Sequence, residues 1–322
     1  MNICKNMNIC KNMNICKNIL EQSLFLTTMD LVNLRLQTEV LRLVREFFHN
    51  EKFVEILPVL TSPITDPLGP DPGSSVTKTG IIEYGGQQLK ITQSMILHKQ
   101  LILARYPTLD RIYCISPNLR LEHPDRRESG IHCFEFNQVD FEIAGATMSD
   151  IMEFMHSLLV FVDRRLNVHP KFLGDLSMTN DLKTMSTHDI TEDGELKDKE
   201  ASLKADAPFW ITDHKREFYD KEDPDNRGHY LNYDLYYPEG YMEALSGGER
   251  EYEYDQIVRR MKEVGMDLSE YADYLEVAKK GELRPSAGAG FGVERLMRFM
   301  TRSKHIRDVQ LFPRIPGEKV VF

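Results

Sequence analysis

The stretch that most constrains this chain is Tyr113 to Ile143, reading YCISPNLRLEHPDRRESGIHCFEFNQVDFEI. Alternating apolar and polar residues at both ends are split by Pro124, Asp125, Ser129 and Gly130, which favour a turn, so the segment predicts strand, charged loop, strand. The period of two puts Arg120 and Glu122 on one face of the first strand and Leu119 and Leu121 on the other. On the returning strand Phe134, Phe136, Gln138 and Asp140 face one way, and Val139, Phe141 and Ile143 face the other. One side of the hairpin is therefore core; the other presents guanidinium, carboxylate, amide and aromatic ring.

A half-solvated antiparallel pair with cross-strand ion pairs would show the same alternation. The loop argues for more, because Arg126, Arg127 and His132 join Arg120 beside an aromatic platform. A nucleoside triphosphate needs that set: a flat ring to stack on the base and guanidinium forks to hold phosphate.

The 322 residues suffice for one large domain or two small ones. Forty Lys+Arg against fifty Asp+Glu give a net charge of −10, so a broad electrostatic footprint for nucleic acid is not expected, although clustered cations could bind it locally. Without an apolar run near the roughly 18 residues of a membrane span, and without a signal-peptide profile, a soluble cytoplasmic protein is expected. Cys4, Cys10 and Cys16 belong to a threefold MNICKN repeat over residues 1–18, whose spacing matches no common zinc pattern. A disordered tail is expected over residues 1–22, with one catalytic domain over 23–322. Cys114 and Cys133 read as small buried side chains in a reducing compartment.

Thr28 or Asp30 can cap a helix whose Leu36, Val40, Leu43, Val44 and Phe47 recur at helical spacing up to Asn50. A strand from Phe53 to Leu57 then meets Pro58 and a stiff proline-rich loop, where Asp66 and Asp71 stand beside prolines. Residues 80–92 read as a hairpin turning at Gly85 and Gly86. QSMILHKQ (93–100) leads into a helix, and another helix runs from about Ser149 to Leu166. Residues 175–207 read as a variable excursion of helix and loop, and 219–230 as an acidic loop that tolerates insertion. Two strands flank Pro238 to Gly240, and the glycines at 288, 290 and 292 precede a helix bearing Val293, Leu296, Met297 and Met300 on one face. No acid follows about 20 residues on within a strand-helix-strand unit, so these glycines are read as close backbone approach on a central strand, not as a dinucleotide fingerprint. Antiparallel strands with helices between them predict an α+β fold around one large sheet.

Pro58, Arg120-Leu-Glu122, EFNQ (135–138) and GFGVER (290–295), in that order, resemble the three signature motifs of the class II aminoacyl-tRNA synthetases. QSMILHKQ, EFNQVDFE (135–142) and EALSGGER (243–250) are similar to substrate loops of the aspartyl and asparaginyl subgroup. The resemblance covers about residues 30–322. It implies an antiparallel sheet flanked by helices, ATP as substrate, Mg²⁺, and a homodimer built through the segment around Pro58.

Roles implied by the resemblance follow residue by residue. Arg120 would hold the α-phosphate, Phe136 and Arg295 would sandwich the adenine, and Glu122 and Gln138 would hydrogen-bond around it. Asp234 and Glu243 suit a hard cation bound to phosphate oxygens, although their separation is longer here than in those synthetases. Lys99 and Arg250 would receive a substrate carboxylate, which favours aspartate over asparagine. Asp71 and Ser94 would meet the α-ammonium group. Asp66 would bind ammonium or accept its proton.

The synthetases carry an anticodon-reading barrel of roughly 100 residues before this core, and no room for one precedes the first motif here. The chain is therefore expected to resemble the stand-alone asparagine synthetases related to asparaginyl-tRNA synthetase. On that expectation L-aspartate, ATP and ammonia are the substrates, aspartyl adenylate is the intermediate, and tRNA is not a partner. The alternatives are a minimal aspartyl- or asparaginyl-tRNA synthetase and a non-catalytic amino-acid sensor.

Overall fold

The computed structural model describes residues 29–67, 76–167 and 182–320. The MNICKN repeat and Asp71 lie outside the described residues.

The chain is organised around an eight-stranded sheet. Its strands in chain order are β1 (Val54–Glu55), β2 (Arg111–Leu119), β3 (Glu135–Ala144), β4 (Thr184–Ser186), β5 (Phe209–Thr212), β6 (Asn232–Tyr237), β7 (Met242–Glu249) and β8 (Ser286–Gly292). Across the sheet the order is β1-β2-β3-β8-β7-β6-β5-β4. The interior pairings are antiparallel, as expected. Both edges depart from the expectation, because β1 runs parallel to β2 and β4 runs parallel to β5. Strand β4 comes from the segment read as helix and loop; its three residues are too few to show a period of two.

Helix α1 (Leu31–Asn50) starts where Asp30 accepts a hydrogen bond from Asn33 N, satisfying one of the free amides of the first turn. It buries Leu36, Val40, Leu43, Val44, Phe47 and Phe48. With α2 (Ile96–Arg105), α3 (Met148–Asn167), α4 (Tyr254–Glu263), α5 (Ala272–Lys279) and α6 (Val293–Met300) it completes the main helical set. Helices α1, α3 and α6 close one face of the sheet against Val139, Phe141, Ala287, Ala289 and Phe291. At the centre Phe48 stacks on Tyr113 at 4.4 Å and meets Phe53, Phe141 and Phe154 edge-on. The opposite face is polar. There Phe218, Tyr219, Ile257, Met261, Tyr271 and Tyr274 form a second apolar cluster with α2, α4 and α5, which walls one side of a cleft.

The hairpin Ile81–Tyr84 and Gln87–Ile91 turns where expected, with positive φ at Gly85 and Gly86. Met148–Asn167 likewise matches the predicted helix within a residue at each end. Among the described residues no helix is long and apolar enough to cross a membrane.

Phe48 is fully buried and touches five other rings. Phe48→Ala should therefore destabilise the fold by about 3–5 kcal/mol, from lost transfer energy and the cavity left behind. Urea unfolding would check this; a loss below about 1 kcal/mol would mean that this cluster does not anchor the sheet.

Candidate active site

A cavity of about 320 Å³ lies over the polar face of β3, β8 and β7. Its floor depends on glycine. Gly288 pairs with Glu142 and Gly290 with Asp140. A Cβ on Gly288 would overlap Glu142 Oε2 and the Phe141 carbonyl, and one on Gly290 would overlap the Gln138 amide. The close backbone approach read from the sequence is thus a clearance for the side chains of β3.

Asp66, Ser94, Lys99, Arg120, Glu122 and Gln138 line the cavity, as do Glu243, Arg250 and Arg295. Phe136 lines an adjoining recess with Arg120, Gln138 and Arg295. The Arg120 guanidinium lies 5.2 Å from the Phe136 ring centroid, and its Nε donates to the Gln93 carbonyl. Gln138 is oriented by Asn118, whose Nδ2 donates to its Oε1 at 3.0 Å. Burial raises the Glu122 carboxyl above its ordinary pKa, against the pull of Arg120 and Arg295. Arg295 donates to Glu243 Oε1 at 2.9 Å.

Lys99 and Arg250 form no open cationic fork. Lys99 is 1% exposed, is bonded to Asp140, and lies 3.1 Å from Glu142 Oε2. Arg250 grips Glu142 through Nε at 3.0 Å and reaches Asp220 at 3.3 Å. For Glu142, burial alone would raise the pKa; Arg250 and Lys99 outweigh it and hold the carboxyl below its ordinary range. Asp140 also accepts from Met95 N, serving the start of α2, which has no side-chain cap of its own.

Asp234 and Glu243 reach the same face by different means. Leu235 pairs with Leu245 but Tyr236 pairs with Glu243, so Ala244 is an extra residue in β7. Without that bulge Glu243 would share the core face with Leu245; with it, Glu243 turns toward the cavity. Asp234 is buried beneath Arg216, to which it is bonded, and His214 Nε2 lies 3.3 Å away. Among the described residues no hydrogen-bond partner reaches its buried Oδ1. Glu243 lines the cavity whereas Asp234 does not, lying buried behind Arg216; its orphaned oxygen is a donor of the kind a hard divalent cation takes.

Sequence reasoning missed Asp140, Arg216, Glu217, Tyr219 and Asp220 as site residues. The last four lie in or beside the segment read as an insertion-tolerant acidic loop. Asp220 is instead 2% exposed and holds Asn232 and Arg250. The available signal was the Phe218-Tyr219 pair, since buried rings beside acids mark a packed segment. Tyr219 donates to Asp66 Oδ1 at 2.9 Å and Ser94 donates to Asp66 Oδ2 at 3.0 Å. Two other expectations also change. Burial, with Arg295 and Arg126, pushes the His132 pKa down to about 4, so this ring is a neutral group near pH 7 and not a cation. Arg126 and Arg127 stay exposed on the Pro124–Ser129 turn, where Arg127 reaches Glu318.

The sequence profile described as tRNA synthetases class II (D, K and N) matches residues 25–316. An asparagine–tRNA ligase of Pyrococcus abyssi is 30% identical over 310 residues, covering 88% of this chain and 68% of the relative. An aspartate–tRNA(Asp/Asn) ligase of Methanococcus aeolicus is 30% identical over 307 residues, covering 87% and 66%. Asparaginyl-tRNA synthetase from Pyrococcus horikoshii, complexed with asparaginyl-adenylate, superposes with a TM-score of 0.78 at 24% identity, covering 90% of this chain and 69% of that one. The chain therefore belongs to the class II tRNA synthetase family of the D, K and N type, and its sheet flanked by helices is the fold of that family.

Burial, Asp66 and Asp220 push the Glu217 carboxyl up to about 8, so the folded state keeps a proton that an unfolded chain loses near 4.5. Stability should then fall as pH rises through that window. Glu217→Gln removes the effect, and its Tm advantage over wild type should grow from pH 5 to pH 9. A pH-independent difference in differential scanning fluorimetry would overturn the assignment.

Proposed function

We propose that this chain, from a family of ATP-dependent ligases, activates aspartate or asparagine as an aminoacyl adenylate and transfers the acyl group to tRNA. The observation that carries the reading is one continuous cavity joining two ends. At one end are Arg120, Arg295, Glu122 and Gln138, with Phe136 in the adjoining recess; at the other are Ser94, Lys99, Asp140 and Arg250, with Glu142 buried behind the two cations. The relatives named above are tRNA ligases, which supports tRNA as the acceptor in place of the free ammonia expected from sequence.

In the first step a substrate carboxylate oxygen attacks the α-phosphorus, and the bond to the pyrophosphate oxygen breaks. The nucleophile is already ionised, so alignment and charge neutralisation by Arg120 and Arg295 do the work. Phe136 would support the adenine. Asp234 and Glu243 would hold Mg²⁺, which when bound supplies positive charge against the phosphates. In the second step a terminal ribose hydroxyl of tRNA attacks the acyl carbon and AMP leaves. The apolar residues Leu57, Val59 and Leu60 beside Pro58 are exposed and would pair two copies of the chain.

A second reading, synthesis of free asparagine, is favoured by one observation. Asp66, Glu217 and Asp220 gather at the amino-acid end of the cavity, and the Glu217 carboxyl, pushed up to about 8, is matched to proton exchange with an ammonium ion. A second ammonium ion could be held there and deprotonated before it attacks an aspartyl β-adenylate.

Aspartate- and asparagine-dependent pyrophosphate exchange should be measurable, and Arg120→Ala should reduce it by about 10²-fold. Acceptor assays then separate the readings. Amino acid esterified to tRNA is the expected product; free asparagine with AMP, formed from ammonium without tRNA, would instead establish the second reading. No exchange with either amino acid would overturn both.

A further inference from the structure

Away from the cavity, at the β4 and β5 edge of the sheet, three side chains from distant parts of the sequence converge. His229 Nδ1 lies 2.5 Å from Asp213 Oδ2, and His188 Nε2 lies 3.1 Å from the same oxygen. The candidate ligand atoms all fall within 4.8 Å of one another. The imidazole centroids are 4.8 Å apart.

The backbone holds the carboxylate in place. Asp213 has φ of +68°, a left-handed conformation that costs a non-glycine residue about 1 kcal/mol or more and persists only where the surroundings impose it. Its Oδ1 accepts from Tyr230 N at 2.7 Å, and its carbonyl accepts from Thr187 Oγ1 at 2.6 Å. The first bond ties the carboxylate to the chain neighbour of His229, and the second ties the Asp213 backbone to the chain neighbour of His188. His188 itself sits on a single 3₁₀ turn fixed by a capping box between Ser186 and Asp189.

We propose that His188, Asp213 and His229 form a binding site for a divalent transition metal of the zinc class. Two imidazole nitrogens and one carboxylate oxygen suit such an ion, with solvent taking the remaining position. Ligand distances near 2.0–2.2 Å space tetrahedral donor atoms by about 3.3 Å, so His188 Nε2 already stands close to that separation from Asp213 Oδ2 and His229 Nδ1 must draw back slightly. The ion would cross-link the β4 edge to the 213–230 segment. That segment also carries His214 and Arg216, the partners of Asp234, so the site braces the wall of the cavity without taking part in its chemistry.

The test uses the full chain with Cys4, Cys10 and Cys16 changed to Ser, so that terminal thiols cannot bind the probe. Metal-free protein is titrated with Zn²⁺ against a chromophoric chelator, with excess Mg²⁺ present to fill oxygen-only sites. One tightly bound equivalent is expected, with H188A weakening it by about 100-fold or more, beyond the usual 10–100-fold cost of losing an outer-shell partner. His188 is 60% exposed at its side chain, so this variant should fold normally, and a far-UV spectrum would check that. As a second measurement, Co²⁺ bound to the parent should show a visible ligand-field band that is absent in H188A. Equal Zn²⁺ affinity and stoichiometry in parent and H188A, or no tight equivalent in the parent, would overturn the proposal.

Discussion

Everything at the candidate site rests on a buried charge cluster that no solvent can repair. Glu142 is fully buried between Lys99 and Arg250, and Asp140 and Asp220 complete the group. Burying charges costs several kcal/mol per ion, and the cost is offset only if every member keeps its partners. The cluster joins α2, β3, the end of β7 and the segment before β6, so it fixes the walls of the cavity relative to one another. It also explains why the cavity floor is glycine: a side chain at 288 would displace the carboxylate on which both cations depend.

The same arrangement divides the sheet into two solvents. One face packs aromatic rings and aliphatic chains; the other packs ions. A strand with period two is the simplest way to serve both, and β3 does so with Val139, Phe141 and Ile143 on one side and Gln138, Asp140 and Glu142 on the other.

That alternation is why the hairpin, the helix faces and the glycine strand were legible in the sequence: each is a local pattern with a local physical cause. Legibility failed where the cause is tertiary. Lys99 looks like any lysine on a helix until β3 supplies two carboxylates. Asp220 looks like one acid among many until Arg250 and Asn232 meet it, and a short edge strand such as β4 exists only because β5 is there to pair with it. His132 was read as a cation from its residue type, whereas burial near arginines makes it neutral. The ion pairs of the cavity also could not be foreseen from residue identity, because the sequence names charges without saying which are already neutralised.

The extra residue at Ala244 carries a consequence for how this chain can vary in length. The turn joining β6 to β7 lies outside the paired region, so residues added there shift nothing downstream of Tyr241. Between Glu243 and Ser246 the situation is different, since one deletion would restore regular alternation and swing the glutamate into the hydrocarbon side of the sheet. Length change in the turn leaves the ladder in register, whereas the same change a few residues later decides which side of the sheet the glutamate occupies.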